Sequence, residues 1–274
     1  MSKLQEYAQA RELTLNLTLR ELRGKYKRSV LGWTWSLLNP LSTMVIFSII
    51  FSVFLKVVPP TGHPSGLHSF ALFLLCGLLP WNFFATGTTA SMGSLIANSN
   101  LIKKVYFPRE ILVASTVAAV LVAFCVEMTV LGVVLLFFGN MVLPWIPVVI
   151  LLMLIEAIFV AGIGLVLSVI DVYFRGTEHF MAIALQALFY SAPIVYPISY
   201  VPKTAHVLGM AIPLRTIYEL NPLVTFVESF RSALYDLAFP PIGDLAYITA
   251  WAVVLLGFGL WVFGKLDRRL AEEL

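Results

Sequence analysis

The sequence predicts an all-α integral membrane protein: about six transmembrane helices, an N-terminal amphipathic interfacial helix, and short re-entrant helices on the outer side. Three observations predict it. The 274 residues are 59% hydrophobic and only 12% charged, with mean hydropathy +0.90. Soluble domains carry about a quarter charged residues, so lipid must solvate much of this chain. Six apolar runs each approach the ~20 helical residues needed to cross a hydrocarbon core about 30 Å thick. Finally, Lys and Arg gather in alternate connecting segments.

In chain order, residues 4–32 are polar and basic. Leu13, Leu15, Leu17 and Leu19 alternate, which taken literally is a strand pattern. A strand here would have no partner, and Leu15, Leu19 and Leu22 share a helical face, so the segment reads as a helix lying on lipid headgroups. No small-residue cleavage site follows the first apolar run, so no secretory signal peptide is expected. Within a single domain, 1–274, spans fall near 34–57, 67–91, 110–138, 144–170, 180–198 and 245–265. Gly77 and Pro80 interrupt the second and predict a kink, and its small residues at 86–93 favour close helix packing.

Between the second and third spans, Leu101 and Val105 lie one turn apart beside Lys103 and Lys104, and Pro108 stops the segment. This reads as a short amphipathic helix across the turn. The outer stretch 199–244 is too long for a plain loop. Asn221 and Pro222 are an N-cap followed by proline at the first helical position. Leu223, Phe226, Val227, Phe230 and Leu234 then form an apolar stripe, and Glu228 and Arg231 can pair at i, i+3. Such a helix is too short and too polar to span, and is expected to dip into the outer leaflet.

With the N-terminus inside, the inner segments hold fourteen of the 18 basic residues, among them Arg20, Arg23, Arg28, Lys103, Lys104, Arg109 and Arg175. Only Lys56, Lys203, Arg215 and Arg231 fall outside. Both termini should therefore be cytoplasmic.

Motifs that would carry chemistry are thin. The segment 259–265 has P-loop glycine spacing up to Lys265, but Leu266 stands where Ser or Thr should hold magnesium, and the segment ends an apolar span. The four histidines show no metal-ligand spacing, and Cys76 and Cys125 both sit in apolar runs. Asp171 and Glu178 in the turn before the fifth span read as a solvated pair. Glu127 and Glu156 lie within spans, where a charge costs about 2.5–3.5 kcal/mol or more and so must face protein or water. They read either as interhelical hydrogen-bonding groups or as part of a polar translocation path. Tyr190 and Tyr196, like Trp81 and Trp145, fall near span ends, as an interfacial belt or as faces on which sugar rings stack.

Several segments resemble one family. Arg23-Gly-Lys-Tyr-Lys-Arg-Ser-Val-Leu-Gly-Trp-Thr-Trp35, followed by Asn39-Pro40, is similar to the N-terminal signature of the membrane subunits of bacterial ABC exporters for surface polysaccharides. These are the permeases for O-antigen, capsule and wall teichoic acid. Leu101-Ile-Lys-Lys-Val-Tyr-Phe-Pro-Arg-Glu110, Tyr190-Ser-Ala-Pro-Ile-Val-Tyr-Pro197 and Asn221-Pro-Leu-Val-Thr-Phe-Val-Glu-Ser-Phe-Arg231 resemble it too, in order, over nearly the whole chain. One departure is that Arg175 is followed by Gly176 where the family commonly has Asp.

The resemblance implies a homodimeric permease in the bacterial cytoplasmic membrane, working with two copies of a separate ATPase. ATP and Mg would belong to that partner, with no cofactor, metal or catalytic residue in this chain. It implies that 94–108 is the coupling element seated on the ATPase, through Leu101, Ile102, Lys103, Lys104, Val105, Tyr106, Phe107, Pro108 and Arg109. The N-terminal helix, with Arg23, Tyr26, Arg28 and Trp33, would frame that contact, and 203–236 would hold the outer re-entrant helices. The substrate would be a glycan or polyol-phosphate chain on a polyprenyl diphosphate lipid. A related permease for a lipid or drug, and more distantly a membrane acyl- or glycosyltransferase, are the other readings.

Overall fold

The computed structural model describes residues 3–26, 34–54, 60–105, 107–207 and 210–273. Its order is α1 (Lys3–Tyr26), α2 (Thr34–Phe47, continued by a π-helical stretch Ser48–Phe54), α3 (Phe70–Met92), α4 (Ser94–Ala97), α5 (Ser99–Lys104), α6 (Glu110–Phe137), α7 (Ile146–Tyr173) and α8 (Thr177–Tyr190). A hairpin β1 (Ala205–Val207) and β2 (Met210–Ile212) follows, then α9 (Leu214–Glu219), α10 (Pro222–Arg231) and α11 (Ile242–Glu273). Among the described residues, four helical stretches are long and apolar enough to cross a membrane: Phe70–Met92, Glu110–Phe137, Leu143–Tyr173 and Ile242–Leu266.

Helix α3 is the axis of the bundle. It packs on α6, α7 and α10, and every residue from Phe70 to Trp81 is buried. It runs unbroken through Gly77 and Pro80. Gly77 has a packing role, since a Cβ there would sit 3.0 Å from both the Arg231 guanidinium and Val227. Trp81 belongs to no surface belt: it is buried, with its ring 5.5 Å from Phe84 and 5.6 Å from Phe189. The main core joins α3, α6, α7, α10 and α11 through rings such as Phe83 stacked on Phe124 and Phe159 beside Phe226. A second core at the other end joins Leu17 of α1, Ile102 of α5 and Leu112 of α6 to Val169 of α7 and Phe263 of α11.

The most extensive helix contact is between α7 and α11. A Cβ on Gly162 would lie 2.5 Å from the Leu255 carbonyl carbon and the Leu256 nitrogen, and one on Gly259 would lie 2.5 Å from the Gly162 oxygen. Small residues allow this approach where lipid supplies no hydrophobic drive between helices. Gly162→Ala is therefore expected to force the helices apart and destabilise the protein by about 1–3 kcal/mol. Gly257 has nothing within 4 Å of its Cβ position, so Gly257→Ala should be neutral or slightly stabilising, by at most about 1 kcal/mol. Thermal melting in detergent separates the pair; equal melting temperatures would contradict the close α7–α11 approach.

Three sequence expectations change. The fifth run, placed at 180–198, is α-helical only to Tyr190; turns follow through 191–196, and neither Pro193 nor Pro197 can donate to a continuing helix. The stretch 199–244 contains the β1–β2 pair, Ala205 against Ile212, ahead of α9 and α10. Among the described side chains of α1, Leu17, Thr18 and Leu22 are buried while Leu15 and Leu19 are about half exposed, so the face read from Leu15, Leu19 and Leu22 does not bury as one.

Candidate functional site

The 94–108 segment forms an elbow at one end of the bundle. α3 ends at Gly93, α4 makes one turn, and α5 restarts at Ser99 after Asn98. Ile102 is buried in the second core, with Leu101 and Phe107 packed against it. Lys103 and Lys104 remain exposed on the opposite side, as does Pro108 further along. Val105 does not share the Leu101 face: the helix has ended, its backbone is extended at φ −132, ψ 134, and its side chain is exposed. Arg109 stands immediately before α6. Tyr106 lies outside the described residues.

Helix α1 grips this elbow. Arg20 pairs with Glu21 at 2.9 Å and also donates to the Asn98 side-chain oxygen. Buried Asn98 in turn donates to the Ser94 carbonyl at 2.8 Å. Thr18 donates to the Ser115 carbonyl at 3.3 Å, tying α1 to α6. Sequence reasoning missed Arg20 and Asn98, whose pairing across 78 positions leaves no local signal. Arg23 is exposed near the end of α1 and Tyr26 closes it. The Tyr26 side chain, Arg28 and Trp33 lie outside the described residues.

In the bundle interior, Glu127 on α6 is half-buried, while Glu156 on α7 is 1% exposed. Its Oε2 makes no hydrogen bond among the described residues, nor do the side-chain oxygens of Thr88 and Ser91 on α3. Towards the other end, Tyr196 donates to the Tyr190 carbonyl at 2.8 Å and shares a hydrogen bond with the Tyr218 hydroxyl. Tyr190 is itself exposed. The structure thus brings Tyr190 and Tyr196 together and adds Tyr218, which the sequence did not single out.

Helix α10 begins as its sequence dictates: Asn221 Oδ1 accepts from the Leu223 amide at 3.0 Å, with Pro222 at the first position. All five residues of its apolar stripe are buried. Arg231 and Glu228 pair at 3.0 Å. The arginine, however, is 2% exposed and spends most of its donors elsewhere. Nε donates to the Phe73 carbonyl at 3.3 Å, one terminal nitrogen to Pro193, and the other to the Ile194 carbonyl at 2.6 Å. The guanidinium carbon lies 3.7 Å from the centre of the Phe73 ring. One side chain thus joins α10, α3 and the turn after α8. Burial raises the Glu228 carboxyl above its ordinary range, and the Arg231 charge pulls it partly back. Burial also raises Asp236, opposed by the hydrogen bond it accepts from the His63 amide at 3.1 Å. Below these groups, 259–265 lies wholly within α11, and Lys265 sits 4.1 Å over the Trp261 ring, so no phosphate-wrapping loop exists there.

The family model described as ABC-2 type transporter matches residues 12–235. The chain belongs to the ABC-2 type transporter family. Its similarity to curated members extends over nearly its whole length. It is 31% identical to the O-antigen export system permease protein RfbA of Klebsiella pneumoniae, over 96% of this chain and 95% of that protein. It is 27% identical to the RfbA of Myxococcus xanthus, over 99% and 98%. With the polysialic acid transport protein KpsM of Escherichia coli it shares 26% identity over 93% of each. As an ABC-2 transporter chain it is a multi-pass membrane protein, and the elbow at 94–108, α1 and α10 all lie within or overlap the matched region.

Proposed function

We propose that this chain is the permease half of an ATP-driven exporter that moves a surface polysaccharide or teichoic acid, carried on a polyprenyl diphosphate lipid, across the bacterial cytoplasmic membrane. The observation that carries this reading is the end-to-end similarity to permeases named for O-antigen export and to a polysialic acid transport protein. The elbow supports it: Ile102 is anchored in the core while Lys103 and Lys104 face outward, ready for a separate protein. In this reading the two runs 34–57 and 180–198 complete six spans, both termini are cytoplasmic, and α1 lies at the membrane surface with Leu15 and Leu19 toward lipid. The outer segment 203–236 is re-entrant. Two copies form the passage, with Glu127, Glu156, Tyr190 and Tyr196 along it, and two ATPase subunits seat on the elbows.

ATP binding closes the ATPase dimer and presses on 101–108. A shift between two permease states then follows only from contacts that differ with nucleotide. The direct test is depletion of the chain in its host, followed by identification of what accumulates. A lipid-linked glycan or polyol-phosphate trapped on the cytoplasmic face is expected; a free lipid or drug accumulating instead would overturn the substrate assignment. Purified alone, the permease should hydrolyse no ATP, and adding the ATPase subunit should supply the activity.

A further inference from the structure

A groove of about 390 Å³ runs between α6 and α7. Buried Met128, Val149, Met153 and Leu234 line it, with Leu136 and Ile150 exposed at its rim. Its α6 wall extends from Cys125 to Leu136, roughly 16 Å by helical rise, and it closes against Val142 and Leu143 in the α6–α7 turn. Gly132 leaves the middle of that wall open, since a Cβ there would meet nothing within 4 Å. The lining is almost wholly apolar. Its one hydroxyl, on Thr129, already donates to the Cys125 carbonyl at 2.7 Å. Asn140 of the turn donates to the Leu234 carbonyl at 2.8 Å, which pins the segment after α10 in place beneath the groove.

Both walls belong to stretches long and apolar enough to cross a membrane, so the groove opens into hydrocarbon. It covers about half of a core roughly 30 Å thick, and its closed end lies at the α6–α7 turn, on the side away from the elbow. That is the depth of one leaflet. We infer that the groove is a binding site for a single acyl chain of a membrane phospholipid in the leaflet away from the elbow. The site goes beyond the exporter reading and does not depend on it. Water is a poor occupant, because so apolar a cavity stays dry. A helix from a second copy, about 10–12 Å across, is too wide to enter and could only lie over the rim. A longer isoprenoid tail would be held along part of its length only, since the α6 lining stops at Cys125 near midspan. A flexible methylene chain fills the groove and touches protein on three sides. Hydrophobic drive between apolar surfaces is absent in lipid, so these accumulated dispersion contacts set how firmly the chain is held. The seated chain would back Leu234, and through it the end of α10.

The test uses the full-length chain in nanodiscs of phosphatidylcholine carrying a diazirine midway along one acyl chain. The protein is re-extracted into detergent, washed, weighed by native mass spectrometry, then irradiated and mapped for adducts. The wild type should keep about one phospholipid per chain, with adducts between residues 125 and 153. Gly132→Leu fills the open middle of the wall and should lower retention at least about fivefold. Gly257→Leu adds the same side chain to α11, also where nothing lies within 4 Å, and should retain lipid as the wild type does. No retained lipid in the wild type, or equal retention in a folded Gly132→Leu, overturns the site. If Gly132→Leu does not fold, the wild-type adducts decide: adducts elsewhere than the groove overturn it. Displacement of the phospholipid by an equimolar polyprenyl phosphate overturns the acyl-chain assignment. Cross-linking of Cys125 between two copies, with the groove unlabelled, overturns the site in favour of a second chain.

Discussion

Arg231→Ala is expected to destabilise the protein by about 3–5 kcal/mol, the range for truncating one member of a buried charge network. The change would strand the carbonyls of Phe73, Pro193 and Ile194 and would empty the space over the Phe73 ring. Glu228→Gln should cost only about 1 kcal/mol, because that side chain is 34% exposed and the arginine keeps its three carbonyls. The asymmetry separates two accounts of the pair. If the ion pair carried the stability, both single variants would fall together, and removing both charges would recover much of the loss. With the carbonyls carrying it, Glu228→Gln combined with Arg231→Met should melt no higher than Arg231→Met alone. Detergent melting curves of the wild type and these four variants decide the matter, and a mild Arg231→Ala would contradict the joint described here.

Reversing Lys103 and Lys104 to glutamate should produce the opposite phenotype: a stable protein that exports nothing. Both side chains are exposed, so folding energetics should move by less than about 0.5 kcal/mol. Ile102 remains in its core, and the Arg20 bond to Asn98 is untouched. What changes is the sign of the surface offered to the partner, and like-charge contact across an interface costs several kcal/mol. Surface polysaccharide should be lost at least tenfold while the amount of permease in the membrane and its melting temperature stay at wild-type levels. Full export by the double variant would remove 101–108 from the coupling pathway.

The parts legible in the sequence were those written in adjacent residues. Apolar length gave the four long helices, and Asn221-Pro222 with its five-residue stripe gave α10 together with the Glu228–Arg231 pair. The remainder depends on partners far along the chain. Arg231 bonds to Phe73 across 158 positions, and no local pattern says that an arginine in an outer segment will be among the most buried residues. Leu15 and Leu19 looked equivalent to Leu22 by periodicity, and only the placement of α6 decides which of them it covers. Val105 failed for a smaller reason: helical spacing was applied one residue beyond the helix. Asp171 read as solvated like Glu178, yet only Glu178 is exposed; Asp171 is buried at the end of α7 by neighbours the local sequence does not name.

Helix α3 is a strut roughly 35 Å long by helical rise. At one end it runs through Gly93 directly into the elbow, and near the other Arg231 bolts its Phe73 carbonyl to α10. It is sheathed by protein along most of its length, so lipid can absorb little of a thrust along its axis. If the elbow is driven toward the membrane, the load arrives at Phe73. Either α10 and the turn at Pro193 and Ile194 travel with it, or the guanidinium lets go. Under such a load this one fastening would decide whether α10 moves with α3 or parts from it.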